Sequence, residues 1–249
     1  MIFRQWLEPL SSTYTYLLAC EKTGQALLID PVLPAWERDL GAVRELGLTL
    51  VYTVETHIHA DHITSAQRLK RETGSRIAIS ALEGLMCADV MLTEGAPLSL
   101  GELTLHPLQT PGHTQAHMAF RVGDRVFTGD ALMIDACGRT DFQGGDAKVL
   151  YRSVHEKLFS LPDDQLVYPA HDYQGRRVST IAQERARNPR LGGGRTEEEF
   201  AAIMAELSLP YPKFMDYALP GNTACGECPQ TLPAHLQAYC DQMRQSKQG

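Results

Sequence analysis

Two rhythms of apolar and polar positions run along this chain. In the first third, Tyr14 to Ala19 and Ala26 to Ile29 are short apolar runs on either side of Lys22-Thr23-Gly24, which predicts a hairpin. Leu48 to Glu55, rich in Val, Thr and Tyr, predicts a further strand. Asp61 to Thr73 has helical character and stops at Gly74, a residue suited to the left-handed end of a helix. Ile77 to Ser80 returns to strand. The middle is β-rich: Leu98 to Gln109 predicts a hairpin about Gly101, and Ala119 to Val122 and Arg125 to Thr128 flank the turn Gly123-Asp124. Helical spacing reappears over Asp146 to Ser160, where Val149, Leu150, Val154, Leu158 and Phe159 share one face. Leu166 to Tyr168 predicts a short strand. Thr196 with Glu199 has capping-box form ahead of Phe200 to Leu207, and Pro233 to Gln245 predicts a last helix with proline in its first turn. Arg187 to Arg195, with Asn188-Pro189 and Gly192-Gly193-Gly194, predicts a loop.

Length and composition narrow the class. A chain of 249 residues makes one large domain or two small ones and can bury a core without a disulfide framework. Apolar residues at 43% and charged residues at 21% are ordinary for a globular protein and argue against disorder. Lys plus Arg is 23 against 30 Asp plus Glu, a net charge of −7, which argues against nucleic-acid and anionic-membrane partners. No apolar run approaches the roughly 18 residues of a membrane span. Arg4, Glu8 and Pro9 break up what would be the apolar core of a signal peptide. Six scattered cysteines suit a reducing compartment. The expectation is a cytoplasmic enzyme.

The chemistry concentrates in Thr56-His57-Ile58-His59-Ala60-Asp61-His62, where three histidines and an aspartate fall within six residues, between a predicted strand and a predicted helix. Imidazole and carboxylate are good ligands for zinc and for non-haem iron. His57 and His59, two apart in an extended segment, leave on the same side, and Asp61 and His62 are expected at the helix start, pointing back to the same region. Any one of these histidines alone would be read as a satisfied polar residue; four potential ligands together have no packing purpose. Pro111-Gly112-His113-Thr114, Thr128-Gly129-Asp130 and Pro169-Ala170-His171-Asp172 each add a ligand type just after a β-run, so one rim of the sheets can gather them all.

HxHxDH followed by a separated His, Asp and His resembles the metallo-β-lactamase superfamily over nearly the whole chain. The resemblance implies an α/β fold, an αββα sandwich of two mixed β-sheets flanked by helices. It implies a single domain over 1–249, with the segment from about 188 to 249 packed on it as loops and helices. In two-metal members His57, His59 and His113 would hold one ion, Asp61, His62 and His171 the other, with Asp130 bridging. A second motif, Cys137-Gly138-Arg139-Thr140-Asp141-Phe142-Gln143-Gly144, resembles the persulfide dioxygenases of the ethylmalonic-encephalopathy-protein type. So do Val154-His155-Glu156-Lys157, Tyr168-Pro169-Ala170-His171-Asp172-Tyr173, Asn188-Pro189-Arg190 and Cys225-Gly226. That subfamily implies one Fe(II) per chain on His57, His113 and Asp130, with His59, Asp61, His62 and His171 around it or holding a second metal. It also implies oxidation of glutathione persulfide by O2 to sulfite and glutathione, a homodimer, and Arg139, Tyr173 and Arg190 as glutathione contacts. The alternative is a binuclear zinc or iron hydrolase of glutathione thioesters, like glyoxalase II; residue types alone do not separate the two metals.

Other features invite plainer readings. Cys225 and Cys228 form a CxxC with His235 and Cys240 downstream, but the spacing is long for a zinc knuckle and no thioredoxin-like context surrounds it, so an incidental pair of thiols is expected. Cys137 reads as a buried thiol, and His106, His117, His155 and His235 as structural histidines.

Overall fold

The computed structural model describes residues 1–245. Six strands form the first sheet: β1 (Ile2–Glu8), β2 (Thr13–Ala19), β3 (Gln25–Ile29), β4 (Thr49–Val54), β5 (Arg76–Ser80) and β6 (Val90–Leu92), in that spatial order. The first three pair antiparallel and the last four parallel, with α1 (Trp36–Glu45) and α2 (Ala66–Thr73) as the crossovers β3 to β4 and β4 to β5. The second sheet holds β7 (Leu98–Leu100), β8 (Leu103–Gln109), β9 (Met118–Val122), β10 (Arg125–Gly129), β11 (Leu166–Pro169) and β12 (Ser179–Thr180). Only β10 and β11 are parallel neighbours, and α3 (Ala147–Ser153) lies in the connection between them.

Strand β2 explains the layering. All seven of its residues are buried, because side chains alternate between two covered faces. Tyr14, Tyr16 and Leu18 face Met118, Phe120 and Phe127 of the other sheet, forming the central core. Leu17 and Ala19 face outward onto Leu33, Trp36, Leu40 and Leu69, and onto Leu236 and Cys240 of α7 (Ala234–Gln245). Behind the second sheet, Ala119, Val126 and Val167 are covered by Leu150, Val154 and Leu158, by Ile181 of α4 (Ile181–Arg187), and by Phe200 and Met204 of α5 (Glu197–Glu206). This is an αββα sandwich of two mixed sheets. Among the described residues no helix is long and apolar enough to cross a membrane.

The structure departs from the sequence pattern in three places. The helix expected from Asp61 begins only at Ala66, although it does end on Gly74 at φ 74. Residues 61–65 are held instead by tertiary hydrogen bonds, including a bridge between Val32 and Thr64, so Asp61 and His62 sit in a loop. The helix expected over Asp146 to Ser160 starts on its Asp146 cap, then widens into a π-helical turn over Val154–Leu158. Cys225 and Cys228 are not incidental thiols: they form Cys87–Cys225 and Cys228–Cys240, leaving Cys20 and Cys137 as buried free thiols. The pattern also gave no sign of β1, α1 or α6 (Met215–Thr223), the last because Pro220 and Gly221 lie inside it. The capping box of Thr196 and Glu199 is present.

Candidate metal centre

One rim of the two sheets carries every ligand type. His57 follows β4, His113 follows β8, Asp130 follows β10 and His171 follows β11. The rims meet where Thr13, the first residue of β2, bridges to His171 and the Tyr14 N–H donates to the Ala170 carbonyl at 2.7 Å.

Hydrogen bonding sets which ring nitrogens are free. The Asp30 carboxylate accepts from the Thr56 backbone N–H at 2.7 Å and from the Thr56 hydroxyl at 2.9 Å. The single Thr56 proton is thereby committed, so in its 2.9 Å contact with His57 Nδ1 the ring N–H donates. His113 Nδ1 lies 2.7 Å from the Arg139 carbonyl, which only accepts. Each histidine therefore keeps its Nε2 lone pair, and His113 Nε2 sits 3.6 Å from Asp130 Oδ2. Asp130 Oδ1 is taken by His171 Nδ1 at 2.8 Å. His57, His113 and Asp130 each offer a ligand atom, all within 4.8 Å of one another. Two imidazole lone pairs and one carboxylate oxygen, with their other atoms already bonded, fit a divalent metal.

The supporting shell is specific. The Asp130 backbone N–H donates to His117 Nε2 at 3.0 Å, and His117 Nδ1 contacts Thr110 Oγ1 at 2.8 Å. His117 thus makes structural hydrogen bonds, and one of them orients the candidate ligand Asp130. Gly138 passes so close to His113 that a Cβ would lie 2.6 Å from Nδ1. Burial alone would raise the Asp130 pKa; the His171 and His113 rings more than reverse this and hold the carboxyl well below the usual carboxylate range. Burial pushes His57 well below the ordinary imidazole value, and the rings of His59, His113, His117 and His171 push it further the same way.

His59, Asp61, His62 and His171 form a second group within 4.8 Å. His171 lies between two carboxylates, with Nε2 2.9 Å from Asp61 Oδ2. Burial opposes charge on this ring, yet Asp130 and Asp61 outweigh it and raise its pKa well above the ordinary value. Both ring nitrogens of His59 and Nε2 of His62 are buried without a hydrogen-bond partner. Asn222, near the end of α6, clamps this loop: its amide donates to the carbonyls of His59 (2.8 Å) and His62 (2.7 Å) and accepts from the Thr64 N–H (2.8 Å).

A cavity of about 570 Å³ opens onto His57, His113 and Asp130, and Arg139, Tyr173 and Arg190 line it. Arg139 grips Asp141 at 2.6 and 2.7 Å and donates to the Pro210 carbonyl, so its charge is compensated. Arg190 donates to the Cys137 carbonyl at 2.8 Å. Tyr173 is largely exposed and stacks near His171. Of the remaining histidines, His155 donates to the Leu191 carbonyl; the His235 side chain lies outside the described residues.

Residues 9–171 match the family described as the metallo-beta-lactamase superfamily. The mitochondrial persulfide dioxygenase ETHE1 of Homo sapiens is 48% identical over 229 residues, covering 91% of this chain and 89% of that one. The crystal structure of ETHE1 from Myxococcus xanthus superposes with a TM-score of 0.89 at 51% identity, covering 91% of this chain and all of that one. This chain belongs to the persulfide dioxygenases of the metallo-beta-lactamase superfamily. A hydroxyacylglutathione hydrolase of Polaromonas sp. is more distant within the superfamily, 34% identical over 70% of this chain and 67% of its own length. What sequence reasoning missed in this persulfide dioxygenase family member is the shell around the candidate ligands. Asn222, His117 and Gly138 act through partners remote in sequence, and Tyr211, Lys213 and Phe214, which also line the cavity, lie in a stretch with no motif of its own.

Proposed function

We propose that this chain oxidises glutathione persulfide with O2 and water to glutathione and sulfite, at one Fe(II) held by His57, His113 and Asp130. The observation that carries the reading is the ligand set itself: two Nε2 lone pairs and one free carboxylate oxygen face a cavity, while His171 of the second group is held between the carboxylates of Asp130 and Asp61. The family relationship supports the reaction. When bound, ferrous iron would supply open coordination positions and a one-electron couple through which the persulfide sulfur, which gives up the four electrons that dioxygen takes, can react with it. The chain's own residues do the rest. Thr56 and the Arg139 carbonyl hold the two imidazoles in one tautomer, and His117 and His171 orient Asp130 from either side. Arg190 has no carboxylate within ion-pair distance among the described residues, and its guanidinium suits a substrate carboxylate. Arg139 shapes the wall through Asp141 and Pro210, and Tyr173 covers the entrance beside His171.

The same proposal takes residues 1–249 as one domain, a homodimer in the cytoplasm, without nucleic-acid or membrane partners. The net charge of −7 supports the last point, and family resemblance supports the dimer. The two cystines take up four of the six cysteines on which a reducing compartment was expected, leaving Cys20 and Cys137 as thiols. A two-metal thioester hydrolase is the competing reading, favoured by the unpartnered nitrogens of His59 and His62. An oxygen electrode separates them. Anaerobically iron(II)-loaded protein is mixed with glutathione persulfide and oxygen. Uptake matched mole for mole by sulfite is expected. Folded, iron-bearing protein that consumes no oxygen, but cleaves a glutathione thioester when zinc-loaded, would replace this reading with the hydrolase.

A further inference from the structure

We propose that Leu10, held out by the buried carboxylate of Glu8, is a contact for the carbon skeleton of the persulfide substrate and sets part of the affinity for it; the inference deepens the reaction proposed above and rests on it. A lone exposed leucine needs no explanation. Leu10 is 54% exposed, but it is not alone. Of the nine large apolar side chains exposed among the described residues, Leu10, Tyr173, Leu209 and Tyr211 line the cavity that opens onto His57, His113 and Asp130. Apolar surface gathered around a cavity that reaches the candidate metal centre fits the hydrocarbon part of a ligand.

The turn that carries Leu10 is built to keep it there. Residues 9–12 connect β1 to β2, whose ladder closes on the pair Glu8 and Thr13. The buried Glu8 side chain folds back over this turn. Its carboxylate accepts from the backbone N–H groups of Leu10 and Ser11 at 3.0 and 2.8 Å and from the Ser11 hydroxyl at 2.6 Å. The Ser11 hydroxyl also lies 2.8 Å from that of Thr13, which bridges to His171 on the other sheet. Ser12 takes the left-handed conformation at φ 61, uncommon for a residue with a side chain, and the chain turns there into β2. With its own N–H and that of Ser11 both tied to Glu8, Leu10 stays in the cavity wall. A contact fixed before the ligand arrives loses little freedom on binding.

The segment around Leu209 and Tyr211, in the same cavity wall, is also tied down. The Arg139 guanidinium donates to the Pro210 carbonyl at 2.8 Å, the Tyr211 hydroxyl donates to Asp216 at 2.7 Å, and the Tyr211 ring meets Phe142 edge-on with centroids 5.6 Å apart. A glutathionyl group carries methylenes in its glutamyl and cysteinyl parts, and these are the surface for Leu10 to cover while Arg190 takes a carboxylate. Leu10 has about half its area still to bury, which corresponds to a factor of about 3–10 in affinity.

The test is the split between KM and kcat. Iron-loaded wild type, Leu10→Ser and Leu10→Met are compared in the oxygen electrode over a range of glutathione persulfide, with iron content and circular dichroism measured on each. Leu10→Ser is expected to raise KM about 3- to 10-fold with kcat and iron content unchanged, the mark of lost binding surface. Leu10→Met, which restores the apolar area, is expected to return KM to the wild-type value. An unchanged KM in Leu10→Ser overturns the contact, and so does a fall in kcat that follows iron loss; either leaves the reaction standing, because wild type still consumes oxygen. Absence of oxygen uptake by folded, iron-bearing wild type overturns the reaction and this inference with it. Glu8 is assigned as a positioning residue, so Glu8→Ala is expected to raise KM, and the double variant Glu8→Ala/Leu10→Ser to raise it no further than the larger single effect. Additive effects overturn the role of Glu8. Should Glu8→Ala not fold, Glu8→Gln, which keeps one acceptor oxygen, takes its place in the same cycle.

Discussion

Replacing Asn222 with alanine removes a side chain that ties the end of α6 to the loop carrying His59, Asp61 and His62. Three hydrogen bonds of 2.7–2.8 Å are lost at a site that is 3% exposed. Two carbonyls and one N–H are left without partners inside the protein. At about 1 kcal/mol net per hydrogen bond the loss is about 3 kcal/mol, and incomplete rehydration of the three groups raises it. For a chain of this size that corresponds to a fall of about 6–12 °C in Tm. Asn222→Asp tests the cause. It can still accept from Thr64, but it sets a carboxylate oxygen against two carbonyl oxygens, so it is expected to cost at least as much as alanine although it conserves shape. Urea unfolding of the oxidised protein followed by circular dichroism gives the free energies, with the denaturant slope checked for constancy. Metal content of each variant reports whether the loop still serves the centre. A loss below about 1 kcal/mol for both variants would refute the argument that Asn222 is the clamp.

Gly138→Ala pushes a methyl into the His113 ring and disturbs its bond to the Arg139 carbonyl; metal affinity is expected to fall about 10- to 100-fold by calorimetry, with secondary structure retained. Alkylation of the unfolded, unreduced protein is expected to label only Cys20 and Cys137, with the other four labelled after reduction. The cross-link from Cys87 to Cys225 spans 138 residues, so Cys87→Ser is expected to cost about 2–5 kcal/mol in urea unfolding. Burial raises the Asp39 carboxyl from 3.8 to about 6, against the pull of Arg38. The folded state therefore holds this proton where the unfolded chain has released it, and stability falls as pH rises between these two values, by about 3 kcal/mol in total. Asp39→Asn is expected to flatten that part of the pH–stability curve, and an unchanged slope would remove Asp39 as its source.

The candidate ligands were legible in sequence and their supports were not, for reasons visible in particular residues. His57, His59, Asp61 and His62 announce themselves because four ligand types fall within six residues, and His113, Asp130 and His171 because each follows a β-run. His117 carries no such signal: its role exists only because Asp130, 13 residues on, turns its backbone N–H toward the ring. Asn222 lies 158 to 163 residues from the groups it holds, beyond any local pattern. The helix expected from Asp61 starts late because the tertiary contacts of Thr64 outweigh the local helical preference of residues 61–65. Cysteine count alone pointed to free thiols, since pairing depends on which cysteines the fold brings together.

Sequence by itself determined the strand and helix periodicities, the strand ends on which candidate ligands sit, and their residue types. These follow from local chemistry, because a side-chain rhythm of two or of about 3.6 residues selects strand or helix wherever one face must be buried. Tertiary structure decided which nitrogen of each histidine is free, which carboxylate oxygen is already spent, and that the Thr13 hydroxyl stands among Asp61, His62 and His171. Hydrogen bonds act over about 3 Å and join residues from opposite ends of the chain, so their partners exist only once both sheets have closed on one another.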